Sequence, residues 1–284
     1  MDLQEMKVRH TSGMFEARDG LQLFGQAWEP VDGTDAVVII VHGYGEHSGR
    51  YVHIARRLAL QNFIVETFDL RGHGRSEGDR AFISSFDQYT RDVHAFTKRV
   101  REKHPDLPLF LLGHSLGGLI AATYILDFQP RIGGLILSSP ALKISEDLSP
   151  LLQKMSGVIG KILPKLPTLK LDASLISRDP KVVEAYENDP LVYHKGTLAK
   201  TGAEIIRATQ KIQAKMEMLR LPMLIFHGTA DGLTDPEGSK QLYLRAKSPD
   251  KILKLYEGFY HETMNEPEKE QVLSAILEWL VKRC

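Results

Sequence analysis

Apolar runs of strand length recur along this chain: AVVIIVHG (36–43), FIVETFDL (63–70), LPLFLLGH (107–114), IGGLILSSP (132–140), LPMLIFHG (221–228) and KILKLYEG (251–258). Several are apolar without alternation, as strands are when both faces of a parallel sheet are covered by helices. Between them, 51–61, 87–104, 116–128 and 267–282 carry apolar residues near helical spacing. Ahead of the first run, 14–18 and 21–28 flank Asp19-Gly20, a pair suited to a tight hairpin because glycine accepts positive φ. The pattern predicts an α/β architecture: a doubly wound, mostly parallel eight-stranded sheet, with helices on both faces and an antiparallel edge formed first.

One interval breaks the rhythm. About 80 residues separate Pro140 from Leu221, far more than a plain crossover needs. Leu148, Leu151, Leu152, Met155, Ile159, Ile162, Leu163 and Leu166 form an apolar stripe at helical spacing there, and prolines 164, 167, 180 and 190 punctuate the remainder of the interval. We read 1–140 and 221–284 as the core and 141–220 as a helical cap inserted into it. The stripe either packs on the core or faces a substrate tunnel or lipid, with Lys154, Lys161 and Lys165 placed to meet an anionic surface.

Composition narrows the partners. Lys plus Arg and Asp plus Glu balance at 36 each, so no basic excess calls for a nucleic-acid partner. The single cysteine, Cys284, permits neither an internal disulfide nor a cysteine-held metal, which fits a reducing, cytoplasmic compartment. MDLQEMKVRHTSG lacks the basic-then-apolar order of a signal peptide, and no apolar stretch approaches the roughly 20 residues of a membrane span. Peripheral contact with lipid stays open.

Gly113-His114-Ser115-Leu116-Gly117 fits G-x-S-x-G, in which a serine stands on a strained turn between a strand and a helix. The flanks match, with a buried run at 109–112 and a helical one from 118. Unpaired amides at the helix start suit the negative oxygen of a tetrahedral intermediate, so the Leu116 amide is one expected oxyanion donor. A serine hydroxyl also needs a base and a group to orient that base. In such folds the order is serine, acid, histidine, and only His227 and His261 follow the insertion. His261 lies between the last strand and the last helix and is the expected base. Asp231, in the loop after His227-Gly228, is the expected acid, with Asp235 a nearby rival. His42-Gly43-Tyr44-Gly45 follows a strand where the second oxyanion amide belongs, that of Tyr44.

Together these residues resemble the monoglyceride lipases and lysophospholipase-like hydrolases of the α/β-hydrolase fold. The similarity runs through VHGYGEHSGRY (41–51), FDLRGHGRSEGDR (68–80), GHSLGG (113–118), SRDPKVVEAYENDPLVY (177–193), HGTAD (227–231) and YHETMNEPEKE (260–270). The resemblance implies hydrolysis of monoacylglycerols through an acyl-serine, with no metal or cofactor and with an apolar cap over an acyl tunnel. It also implies a polar end for glycerol, to which Glu46, Arg50 and Tyr186 correspond as substrate contacts. Without the resemblance, Glu46 and Arg50 read as a surface ion pair and Tyr186 as cap packing. Two departures stand out: bulky Tyr44 where the family is usually small, and Met264 where mammalian members carry a second histidine. Lysophospholipase or broad carboxylesterase activity shares the same chemistry. Dehalogenation would need a carboxylate at position 115, and a non-catalytic binding protein would not need the complete triad.

Overall fold

The computed structural model describes residues 7–144 and 157–284. Its eight strands form one sheet in the order β1-β2-β4-β3-β5-β6-β7-β8. They are β1 (Val8–Glu16), β2 (Gln22–Pro30), β3 (Ala36–Val41), β4 (Phe63–Phe68), β5 (Leu109–His114), β6 (Gly134–Ser138), β7 (Met223–Gly228) and β8 (Lys251–Tyr256). β2 runs antiparallel to β1 and β4; every other pairing is parallel. This is the doubly wound sheet of the α/β-hydrolase fold that the apolar runs predict.

Strand periodicity sorts the core into two layers. Val37, Ile39 and Val41 face one side with Leu109 and Leu111, while Val38 and Ile40 face the other with Phe110 and Leu112. The first layer is covered by α2 (Asp87–Lys103), α3 (Leu116–Phe128), α6 (Ala199–Lys215) and α7 (Pro236–Arg245), through residues such as Phe96, Ile120, Ile212 and Leu242. The second is covered by α1 (Val52–Ala59) and α8 (Glu270–Val281), through Ile54, Leu58, Ile276 and Trp279. Residues on successive strand positions therefore serve opposite layers, which is why the runs need no polar face.

The hairpin starts earlier than its apolar pattern suggests. β1 begins at Val8 rather than Met14, and its exposed positions His10 to Gly13 are held by a full ladder to β2 instead of by burial. β8 has only half-buried and exposed positions, as the outer strand of the sheet should.

In the insertion, residues 157–162 are helical and are labelled α4; α5 (Pro180–Glu187) and α6 come after it. Of the apolar stripe, Leu148, Leu151, Leu152 and Met155 lie outside the described residues, as does Lys154. Of the remainder, Ile159 is half-buried and the other three are exposed. Ile162 is 71% exposed, Leu163 55% and Leu166 44%. Lys165 forms an exposed ion pair with Asp79 at 2.8 Å. Further along, the insertion is stitched down: Tyr193 N donates to Gly45 O at 2.7 Å, Thr201 Oγ1 to Ala81 O at 3.1 Å, and Glu262 N to Ile176 O at 2.7 Å. Among the described residues, no helix is long and apolar enough to cross a membrane.

Candidate active site

Ser115 stands between β5 and α3 with φ 54° and ψ −118°, a conformation that a residue with a Cβ adopts only at a cost. Two glycines make the turn possible. A Cβ at Gly117 would lie 2.1 Å from Val41 O, and one at Gly113 2.4 Å from Gly117 O, so any larger residue would push helix from sheet. The Ser115 amide is anchored to Ser138 O at 2.9 Å, which holds the elbow against β6. Strain and anchoring together lift the hydroxyl above the carboxyl edge of the sheet.

Of the two candidate carboxylates, Asp231 is the one that meets His261. Its Oδ2 accepts from His261 Nδ1 at 2.7 Å, from Thr234 Oγ1 at 2.8 Å and from His227 Nε2 at 3.0 Å, while Oδ1 accepts the amides of Leu233 and Thr234 at 2.8 and 2.9 Å. Burial works against the ionised carboxyl, but the charge and hydrogen bonds of His261 and His227 outweigh it and hold Asp231 well below the usual carboxylate range. For His261 burial again opposes the charged form, and the Asp231 carboxylate overcomes it, so the imidazole titrates above its ordinary value. Asp235 is otherwise engaged: it caps α7 by accepting Glu237 N at 2.8 Å and pairs with Lys143 at 2.8 Å. His227, fully buried, bonds Ser239 Oγ at 2.8 Å through its other nitrogen and serves as a second brace for Asp231.

Ser115 and His261 line one cavity of about 140 Å³, to which Tyr44 and Leu116 also contribute. The hydroxyl and the ring form no direct hydrogen bond in this geometry, a contact that often tightens only with substrate in place. The lining is chemically divided. Leu171, Ile176, Ile205 and Leu233 offer an apolar wall, whereas Glu46, Arg50 and Glu262 offer charges.

Glu46 and Arg50 are not a surface pair. Glu46 Oε1 accepts Gly43 N at 2.6 Å and Tyr51 OH at 2.8 Å, and its Oε2 accepts Arg50 Nη1 at 2.8 Å. Burial alone would raise its pKa, yet Arg50, His114 and His42 bring it down to about 2. Most of its lone pairs are thus spent within the protein. Tyr186 lies with its ring under the Arg50 guanidinium at 4.9 Å, and burial pushes its hydroxyl up to about 12. Tyr44 walls both this cavity and a neighbouring one of about 460 Å³, and its hydroxyl donates to Ala81 O at 3.3 Å. Met264 is buried in the second core layer and is not part of the cavity lining.

Four participants escape a motif-based reading. Thr234 braces Asp231 from three residues downstream, and Glu266 accepts Tyr260 N at 3.0 Å, holding the loop that carries His261. His114 lies tilted against the His261 ring, 4.8 Å between centroids; burial, aided by that neighbour, depresses it to about 4, which keeps it neutral. Glu262, adjacent to His261, takes the fork of Arg50. Only adjacency to the expected triad could have pointed to them.

A metal has one geometric opening among the described residues, where ligand atoms of Glu29, Glu66 and His104 lie within 4.8 Å of one another. The Lys103 ammonium already bridges the two carboxylates at 2.6 and 2.9 Å, supplying the positive charge a cation would bring.

Comparison with known proteins places this geometry. A family model described as serine aminopeptidase, S33, matches residues 32–268. The chain is 37% identical to a monoacylglycerol lipase of Mycolicibacterium smegmatis over 94% of its own length and 95% of that protein's. It is 35% identical to the monoglyceride lipase of Homo sapiens over 93% of its own length and 88% of that protein's. The crystal structure of Paleococcus ferrophilus monoacylglycerol lipase superposes with a TM-score of 0.82 at 35% identity, over 92% of this chain and 99% of that one. With a family match across most of its length and a strained serine above an eight-stranded α/β sheet, the chain belongs to the serine aminopeptidase S33 family and is a hydrolytic enzyme of the α/β-hydrolase fold.

Proposed function

We propose that the enzyme cleaves monoacylglycerols to glycerol and fatty acid, with Ser115 as nucleophile, His261 as base and Asp231 as the orienting acid. The observation that carries this reading is that the buried His261, bonded to Asp231 at 2.7 Å, lines the same cavity as Ser115. The activity for which the relatives are named supports the substrate class, as does a lining with both an apolar wall and charged groups.

Ser115 attacks the ester carbonyl as His261 Nε2 takes its proton; Asp231 stabilises the imidazolium through Nδ1. The amides of Tyr44 and Leu116 hold the oxyanion, the second because the first turn of α3 leaves its N–H groups unpaired. His261 returns the proton to the departing alcohol, and water then repeats the sequence on the acyl-serine to release the acid. Residues 141–220 act as the cap, since Leu171, Ile176, Tyr186 and Ile205 come from them to close the cavity. Glu46, Arg50 and Tyr186 bound the alcohol side.

A substrate panel tests the assignment. With 1-monooleoylglycerol, lysophosphatidylcholine and p-nitrophenyl butyrate, kcat/KM should be highest for the monoacylglycerol. Faster turnover of the lysophospholipid would reassign the alcohol side while leaving the chemistry intact.

The cap also meets lipid. Val158, Ile162, Leu163, Leu166 and Leu169 are all exposed, and so much apolar surface on one short segment is unfavourable in water. A cytoplasmic enzyme taking substrate from a membrane would use it for transient contact. The protein should co-sediment with phosphatidylcholine vesicles, and Ile162→Ser with Leu163→Ser should abolish that; undiminished sedimentation of the double variant would exclude this surface.

A further inference from the structure

We propose that Glu262 is a positioning residue: through Arg50 it locks the loop carrying His261 to the loop carrying the Tyr44 amide. The proposal rests on the Ser115–Asp231–His261 assignment and adds a group that the triad mechanism does not require.

The connection is continuous in the structure. Arg50 Nη1 and Nη2 grip Glu262 Oε1 and Oε2 at 2.6 and 2.8 Å, a two-pronged contact across 212 residues of sequence. The same Nη1 reaches Glu46 Oε2 at 2.8 Å, and Glu46 Oε1 holds Gly43 N at 2.6 Å, one residue before Tyr44. On the other side, the Glu262 amide is tied to Ile176 O at 2.7 Å, and its Oε2 accepts Asn265 Nδ2 at 2.8 Å. Glu262 can hardly shift without carrying His261 along.

Energetics argue that this is more than a staple. The side chains of Glu46, Arg50 and Glu262 are 6%, 11% and 5% exposed. Taking such charges out of water costs about what their attraction returns, and well-packed apolar residues often serve stability as well or better. What apolar packing cannot supply is direction. A planar guanidinium bonded at two atoms fixes distance and angle at once. Catalysis needs that fixity, because a misplacement of about 1 Å can cost on the order of 10²-fold in rate.

Charge gives a second handle. One guanidinium faces two carboxylates, so an excess negative charge stands near His261. The other groups around that ring are Asp231 with His227 behind it, from β7 and its loop, and His114 from the end of β5. Glu262 and Glu46 both favour the protonated imidazole.

The test compares Glu262→Gln, Glu262→Asp and Arg50→Lys on p-nitrophenyl butyrate, with active molecules counted by a fluorophosphonate probe and folding followed by thermal melting. For each, kcat should fall about 10- to 100-fold while KM stays within about twofold. In Glu262→Gln the acidic limb of kcat/KM should also move to lower pH, because a carboxylate facing the base is lost. In Glu262→Asp it should stay in place. Wild-type kcat in all three variants would overturn the proposal. So would a higher KM at unchanged kcat, which marks a substrate contact, or a lower melting temperature at unchanged kcat per labelled molecule, which marks a staple. Ser115→Ala, run alongside, separates the two levels: hydrolysis surviving there sinks the triad itself, whereas hydrolysis lost there but normal in the Glu262 variants sinks only the clamp.

Discussion

Replacing Ser115 by alanine should lower kcat by about 10⁶-fold and abolish fluorophosphonate labelling, with little change in melting temperature. The rate falls because the covalent route is removed, leaving only the oxyanion amides and substrate binding to act on a water. Stability is spared for a local reason. The backbone strain at φ 54° belongs to any residue with a Cβ, and the anchoring bond to Ser138 O uses the amide, which alanine keeps. Hydrolysis near the wild-type rate in this variant would end the assignment, and a large fall in melting temperature would show that the hydroxyl has a structural partner.

Asp231→Asn should cost about 10⁴-fold in kcat, more than the loss of one charge suggests. Oδ1 accepts two backbone amides, from Leu233 and Thr234, so the asparagine oxygen will take that position. Its NH₂ then faces His261 and His227, where an acceptor stood. A donor opposite Nδ1 forces the other tautomer, with the proton on Nε2 and no lone pair for the serine proton. The pH dependence has a definite sign. The base must be neutral to act, so activity rises with pH through the His261 pKa, which Asp231 holds above its ordinary value. Removing that charge moves the acidic limb of residual activity to lower pH. Unchanged kcat with an unchanged limb would show that another group orients the base, and Asp235 would be the first to examine.

Much of the fold is legible from the chain alone because the signals are local. Runs such as AVVIIV and LFLLG alternate between two core layers and need no partner to be read as buried strands. α3 spans Leu116–Phe128 as its spacing indicates, since the elbow and the apolar helix lie in one continuous segment. The insertion is harder. Its prolines all precede residue 199, and α6 runs unbroken from Ala199 to Lys215 with Ala203, Ala208 and Ile212 buried, an extent that no turn or cap signal marks in the sequence.

Sequence order alone singled out Ser115, His261 and the loop that carries Asp231, because turn chemistry and strand–helix alternation act over a few residues. Tertiary structure decided which carboxylate in that loop meets the histidines: Asp235 is drawn off to the α7 terminus and Lys143, leaving Asp231 to two imidazoles. It also turned Glu46 and Arg50 from a conceivable surface pair into the buried link between Gly43 and Glu262. Partners 212 residues apart leave no periodic trace. Their pairing depends on where the packed sheet brings two loops, and on the cost of leaving either charge alone once water is gone.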